Sequence, residues 1–344
     1  MRYSFKRVIL FVFLGCGLFS DAQSLKQPSF VEYSLNAGRI VKNYPVFPAR
    51  KLAVINSFVI GSRLSGNKSW HPYYNFPNAS FELAYGNLGN KKVLGNFSAL
   101  LYRFEFSYKL NNKFYAEISP AFGVAYFNKP YHAINNPENT LVGSAFTFSA
   151  AARLNLRYYI NPFWSVSAGA GVYHCSNSHY QLPNLGINLP FASAGLRYHI
   201  RPLNFLFGSR SIEKDSTYHF QVRLAVGHNE QGASTFPVNG PKYPIYLGAF
   251  YVTRYLTPVN KFHFSMLING GIYFYNPVYH EKLRRENDKD FKKQLKGWIT
   301  ARLGFQYYLK DATIYHKNNF YAGVYIKTNL GQADFLETGI GYAF

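Results

Sequence analysis

The sequence predicts an all-β protein: a transmembrane antiparallel β-barrel of the outer-membrane type, with about fourteen strands and a range of twelve to sixteen. Three observations lead there. The chain opens on an export-signal pattern, its dominant period downstream is two, and it closes on an alternating segment that ends in an aromatic residue.

The signal comes first. Arg2, Lys6 and Arg7 precede an apolar run over residues 8–19, and Ser20, Asp21 and Ala22 form a small-x-small cleavage pattern. Residues 1–22 therefore read as a signal peptide, with the exported chain starting at Gln23. Its removal takes away three cations and one anion, which lowers the formal charge of +21 to +19. It also takes Cys16, so Cys175 stands alone and no internal disulfide is expected.

The period of two is plainest over residues 146–158. There Phe146, Phe148, Ala150, Ala152, Leu154, Leu156 and Tyr158 alternate with Thr147, Ser149, Ala151, Arg153, Asn155 and Arg157. Trp164, Val166, Ala168, Ala170 and Val172 repeat the pattern, as do Phe220, Val222, Leu224 and Val226, and Ile299, Ala301, Leu303, Phe305 and Tyr307. Successive strand residues point to opposite faces, so each segment carries one apolar face. Such segments often reach the ~9–11 residues that span a bilayer when tilted. A soluble sandwich would turn the apolar face inward; a membrane barrel turns it to lipid and fills the lumen with polar or small residues. The export signal, the strand length, the strand-end aromatics and the terminal run from Leu336 to Phe344 favour the barrel.

Composition excludes the main competitors. With 32 Phe and 30 Tyr the chain is not intrinsically disordered, and two Cys cannot make a disulfide scaffold. No apolar run past the signal is long enough for a helical bundle.

Strand starts are expected near Phe30, Val54, Ala79, Ala99, Phe114, Ser144, Trp164, Leu189, Tyr218, Pro244, Phe262, Trp298, Phe320 and Ala333, in a single barrel over residues 23–344. The tight turns at Asn111-Asn112, Asn161-Pro162 and Pro258-Val259-Asn260 follow even-numbered strands, and the long links 128–143, 175–188, 229–243 and 275–297 follow odd ones. Short periplasmic turns and long outer loops give that parity when the N-terminus is periplasmic. Segment 64–77 breaks it, being long after an even strand.

The chemistry concentrates in residues 174–188. His174 and Ser176 are two apart, so they share the lipid face of the strand that starts at Trp164. Polar groups are costly on that face. An imidazole can take the proton of a serine hydroxyl and make it a nucleophile toward an ester carbonyl. On spacing alone, the two read first as ordinary interfacial residues, with catalysis as the alternative. Cys175 points the other way and reads as a small lumen-side residue. His179 reads as a solvated loop histidine and a reserve base, and Pro183-Asn184-Leu185-Gly186 as turn chemistry.

The run His174-Cys175-Ser176-Asn177, followed by Pro183-Asn184-Leu185-Gly186-Ile187-Asn188, resembles the signature of the lipid A 3-O-deacylase family, outer-membrane barrel hydrolases. Trp70-His71-Pro72-Tyr73-Tyr74-Asn75-Phe76-Pro77, Val93-Leu94-Gly95-Asn96, Lys129-Pro130-Tyr131, Asn135-Asn136-Pro137-Glu138-Asn139 and Gly143-Ser144 extend the resemblance over roughly residues 30–200. It implies an ester hydrolase that removes an acyl chain from the lipid A of lipopolysaccharide. His174 would be the base, Ser176 the nucleophile, Asn188 the third member, and Asn177 and Asn184 the support of the oxyanion. The family's acidic residue falls at Asn188, which is not acidic. Asn can fix an imidazole tautomer, as in Cys-His-Asn sites, but it cannot stabilise imidazolium as a carboxylate does. The archetypes have eight strands, so residues 201–344 are extra.

The strongly basic chain suits a phosphorylated lipid partner, and the strand ending at Phe344 suits the outer-membrane assembly machinery. The loop carrying Lys282, Arg284, Arg285, Lys289, Lys292, Lys293 and Lys296 also holds four acids and reads as a solvated face. No phosphate loop, zinc motif or calcium loop is present, so no cofactor is expected, and nucleic acid is no partner for an exported barrel. A phospholipase-like esterase and a non-enzymatic pore or scaffold with a degenerate site are the alternatives.

Overall fold

The computed structural model describes residues 28–202 except 46, 65–70, 72–73 and 179, and beyond them residues 217–230, 238, 242–254, 264–274, 297–309, 317–327 and 335–343. The expected signal peptide, His179, the loop at 282–296 and Phe344 lie outside the described residues.

Eight strands close into a barrel: β1 (Phe30–Gly38), β2 (Ala53–Arg63), β3 (Asn78–Asn87), β4 (Asn96–Lys109), β5 (Phe114–Phe127), β6 (Phe146–Tyr159), β7 (Trp164–Ser176) and β8 (Ile187–His199). Each pairs antiparallel with the next, and β8 returns to β1 from Phe30↔His199 to Gly38↔Phe191. Both edges of β1 are thereby used, and no further strand can enter. The closed barrel therefore has eight strands, not about fourteen. Alternation marks a strand and its faces but does not name its neighbour, which is why the count was not readable from the pattern.

Among the described residues six further strands lie downstream. β9 (Tyr218–Glu230) and β10 (Lys242–Arg254) pair with each other. β11 (Phe264–Phe274), β12 (Gly297–Leu309), β13 (Lys317–Lys327) and β14 (Phe335–Ala343) form a four-stranded meander. They belong to a second compact unit.

In the barrel the alternation resolves as anticipated for a membrane wall. Leu154, Leu156, Trp164, Val166, Val172, Leu196 and Tyr198 are exposed, and Ser149, Arg153, Arg157, Ser165 and Arg197 are buried. The short turns are built alike: Asn111 Oδ1 accepts from the N–H of Lys113 and Phe114, and Asn161 Oδ1 from those of Phe163 and Trp164. An Asn side chain that bonds backbone two and three residues on makes such a turn compact.

The lumen is filled in two layers. Toward the long loops it is apolar, with Leu88, Val93, Leu94, Phe97, Phe127, Leu141, Val142, Ile187 and Phe191 in one cluster. Toward the short turns it is ionic. Glu32 Oε2 accepts from Arg197 Nε at 2.7 Å and from Arg157 Nη2 at 2.8 Å, and its Oε1 accepts from Arg103 Nη1 at 3.1 Å. Arg197 also holds Glu105 with two parallel bonds of 2.7 Å. Arg157 Nε donates to Glu117 at 2.6 Å, and Arg153 pairs with Glu82. Tyr173 joins the layers, its hydroxyl donating to Glu82 Oε1 at 2.8 Å while its ring packs against Phe97 and Phe191. Four carboxylates meet four guanidiniums, so the buried layer is neutral, as it must be at low dielectric.

Removing one partner strands the rest. Arg197→Met is expected to destabilise the barrel by about 3–5 kcal/mol, because Glu105 and Glu32 stay buried with their strongest donor gone. Arg197→Lys should rescue little, since an ammonium cannot reproduce the double bond to Glu105. The midpoint of urea unfolding of the folded chain in detergent measures both.

Candidate active site

β7 ends at the long-loop side of the barrel, where its outward face runs Trp164, Val166, Ala168, Ala170, Val172, His174 and Ser176. His174 is exposed, whereas Tyr173 and Cys175 turn inward and are buried. The thiol of Cys175 lies 3.3 Å from Ser149 Oγ inside the lumen. His174 is paired with Asn188 across the β7–β8 ladder. This register puts their side chains side by side on the wall, and His174 Nδ1 lies 2.7 Å from Asn188 Oδ1. With the amide oxygen as acceptor, Nδ1 carries the hydrogen and Nε2 is the free basic nitrogen.

Ser176 stands two residues further on the same face, about 7 Å along the strand. Its Oγ accepts from Asn184 Nδ2 at 3.0 Å and from the backbone N–H of Ser178 at 3.2 Å. Two donors thus converge on the hydroxyl oxygen. Asn184 is held in that orientation because its Oδ1 accepts from the N–H of Asn177 at 3.3 Å. The Asn177 side chain turns the other way, donating to Gln181 O at 2.7 Å and to Ser144 Oγ at 3.0 Å. His174, Ser176, Asn184 and Asn188 therefore share one corner, and Asn177 anchors it from behind.

The loop between β7 and β8 cannot hold that corner alone. The N–H groups of Leu185 and Gly186 bond to the carbonyls of Thr140 and Leu141 at 3.2 and 3.0 Å. Gly186 has φ +71, the left-handed conformation that glycine takes without a steric penalty. At Gly143 a Cβ would lie 2.6 Å from the carbonyl oxygens of Gln181 and Pro183. On the other flank the N–H of Val41 bonds to Asn188 O at 2.8 Å, and Asn43 Nδ2 to Leu185 O at 3.2 Å. The loops at 39–52 and 128–145 thus clamp the site from both sides. In the sequence Gly143 and Ser144 carry only the family resemblance and no role, and Thr140, Leu141, Val41 and Asn43 carry no signal. Their contacts cross from 33 residues (Ser144 to Asn177) to 147 (Val41 to Asn188), and no local spacing signals them. Among the described residues no group of three His, Cys, Asp or Glu is arranged to hold a metal ion.

Gly143→Ala drives a methyl group into the backbone of the neighbouring loop. The expected result is a barrel that still folds, seen as retained heat-modifiable mobility, with faster amide exchange over residues 177–186.

The comparisons with known proteins bear on this barrel. The crystal structure of Neisserial surface protein A aligns at 12% identity with a TM-score of 0.34, covering 50% of this chain and 96% of that one. That of the outer membrane enzyme PagL aligns at 16% identity and 0.34, covering 48% and 97%. The N-terminal β-barrel domain of Pseudomonas aeruginosa OprF aligns at 17% identity and 0.29, covering 50% and 99%. No curated protein matches the chain. The family model described as Lipid A 3-O-deacylase (PagL) matches residues 59–199, from within β2 to the end of β8. Those residues match the lipid A 3-O-deacylase family, and the protein is an integral outer-membrane protein.

Proposed function

We propose that the protein is a carboxylic ester hydrolase that removes an ester-linked acyl chain from lipid A, with its active site at the outer leaflet. The observation that carries this reading is the 2.7 Å bond between His174 Nδ1 and Asn188 Oδ1 on the lipid-facing wall, beside a serine whose oxygen already receives two N–H donors. Nε2 of His174 takes the Ser176 proton as Oγ adds to the acyl carbonyl carbon. The developing oxyanion is carried by the carbon newly bonded to Oγ, and Asn184 Nδ2 and the Ser178 N–H turn from Oγ to it. Asn177 supports the step by orienting Asn184. The imidazolium returns its proton to the sugar oxygen as the ester bond breaks. Water then hydrolyses the acyl-enzyme by the same relay, releasing the fatty acid and restoring Ser176. Asn188 holds the tautomer throughout. Because it bears no charge, the imidazolium is less stabilised than beside a carboxylate, and turnover is correspondingly slower. The alternating strand β14 near the C-terminus supports recognition by the outer-membrane assembly machinery as the route of insertion.

The test is the mass of lipid A after incubation with the folded chain. Loss of one hydroxyacyl unit is expected with the parent protein and not with Ser176→Ala. An unchanged lipid A mass together with fatty-acid release from phospholipid vesicles would move the substrate to phospholipids. Asn188→Ala should lower kcat by about 100-fold or more through loss of the tautomer partner, and Asn188→Asp should equal or exceed the parent. Steady-state release of the fatty acid gives both numbers.

A further inference from the structure

The described loop at the β1–β2 end carries Arg39, Lys42, Arg50 and Lys51, and the sequence has no carboxylate between Glu32 and Glu82. Both of those glutamates are buried in the lumen network. Among the described residues Arg39, Lys42, Arg50 and Lys51 make no ion pair, in contrast to the arginines of that network. Cations next to an apolar wall repel one another, and among the described residues no carboxylate compensates these four.

One of them, Arg39, stands on the wall beside the candidate site, and Lys42 follows Val41 in the same loop. The β1–β8 ladder ends at Gly38↔Phe191 and is prolonged by the bond from the Val41 N–H to Asn188 O. Arg39 therefore falls opposite Pro190, and Val41 opposite Asn188. The alternation continues with them: Ile40 is buried, and Arg39 and Val41 are exposed on the outer wall. One row of the wall thus reads His174, Asn188, Val41, and the next row reads Val172, Pro190, Arg39. Adjacent strands are ~4.8 Å apart, so Arg39 starts roughly 10 Å across the wall from the strand of His174 and Ser176. A guanidinium on a lipid-facing wall is costly unless it reaches the polar boundary or an anion. One of its N–H groups goes to Arg50 O at 3.3 Å, which leaves most of its five donors for another acceptor. Arg50 is fixed in turn by its bond to Ile40 O at 2.7 Å and by its seat over the Phe47 ring, so the loop is braced. Lys42 is exposed one residue beyond Val41.

We propose that Arg39 and Lys42 bind a phosphate on the saccharide headgroup of the substrate lipid and so decide which of its esters reaches Ser176. This rests on the esterase reading of that site and names the chemistry that selects its substrate: a phosphorylated sugar lipid rather than a neutral one. A planar guanidinium offers a phosphate two parallel bonds, and the ammonium adds a point charge. The span of about 10 Å suits a headgroup of sugar rings lying across the wall, with the acyl ester at one end and the phosphate at the other.

The experiment separates binding from hydrolysis. The full chain carrying Ser176→Ala is titrated in uncharged detergent micelles with bisphosphorylated lipid A, with its phosphate-free counterpart and with phosphatidylglycerol. The expected result is a preference of about tenfold or more for the phosphorylated lipid A at low ionic strength, weakened by salt. In the same background Arg39→Gln/Lys42→Gln should abolish the preference, while Lys91→Gln/Lys92→Gln on the β3–β4 loop should keep most of it. In the hydrolytically competent chain, Arg39→Gln/Lys42→Gln should raise KM with little change in kcat. Equal loss in both double variants, equal binding of phosphatidylglycerol, or full displacement of the lipid by inorganic phosphate overturns the proposal. Intact binding preference without hydrolysis by the parent chain overturns the esterase reading and leaves the phosphate site standing.

Discussion

Arg197 closes this barrel. It lies directly opposite Glu32 across the seam where β8 meets β1, and it reaches over to β4 to hold Glu105 with both terminal nitrogens. One side chain thus ties the last strand to the first and to the opposite wall. Its position also fixes the register of everything above it. A one-residue slip in a ladder would turn every side chain to the other face, sending Arg197 to lipid and Leu196 into the carboxylates. The register that keeps Arg197 on Glu32 carries upward to Gly38↔Phe191 and to the Val41–Asn188 bond. The site at the outer end is aligned by ionic contacts at the other end.

The two layers of the lumen divide the work. The ionic layer supplies specificity of register, because each guanidinium must find its carboxylates or remain buried and unpaired. The apolar layer under the long loops supplies the surface on which those loops settle. Leu141 and Val142 from one loop, and Leu88, Val93 and Leu94 from another, enter that cluster with Leu185 packed against it. Once anchored, the loops present carbonyls and small side chains to the β7–β8 connection, and this holds Asn184 on Ser176. The site stands on loops, but these are loops with a hydrophobic foundation.

Much of this was legible in the sequence, and the limits are physical. Alternation placed the expected strand starts within three residues of the observed ones, from Phe30 to Phe335, and assigned His174 outward and Cys175 inward. It could not say that β8 returns to β1, because pairing is a property of two distant segments. It assigned Arg157 to the lumen, where Glu117 receives it, but it did not find Glu82 as the partner of Arg153, 71 residues away. The pairing of His174 with Asn188 was reached only through family resemblance. Its physical basis is a ladder register that becomes visible once β7 and β8 are aligned. The clamp by Gly143, Ser144 and Leu141 had no local signal at all.

Asn188 is where these levels meet. Its side chain accepts from His174, and its carbonyl accepts from Val41 on the loop that bears Arg39 and Lys42. A carboxylate at this position would stabilise an imidazolium, but it would also put a negative charge on the wall between His174 and the cations of the 39–52 loop. A neutral amide fixes the tautomer without drawing Arg39 or Lys42 to itself. The guanidinium and ammonium then stay available to an anion from outside the chain. Under the proposed esterase reading, the missing acid and the cations without an ion pair among the described residues fit one arrangement, in which positive charge is reserved for the substrate rather than spent beside His174.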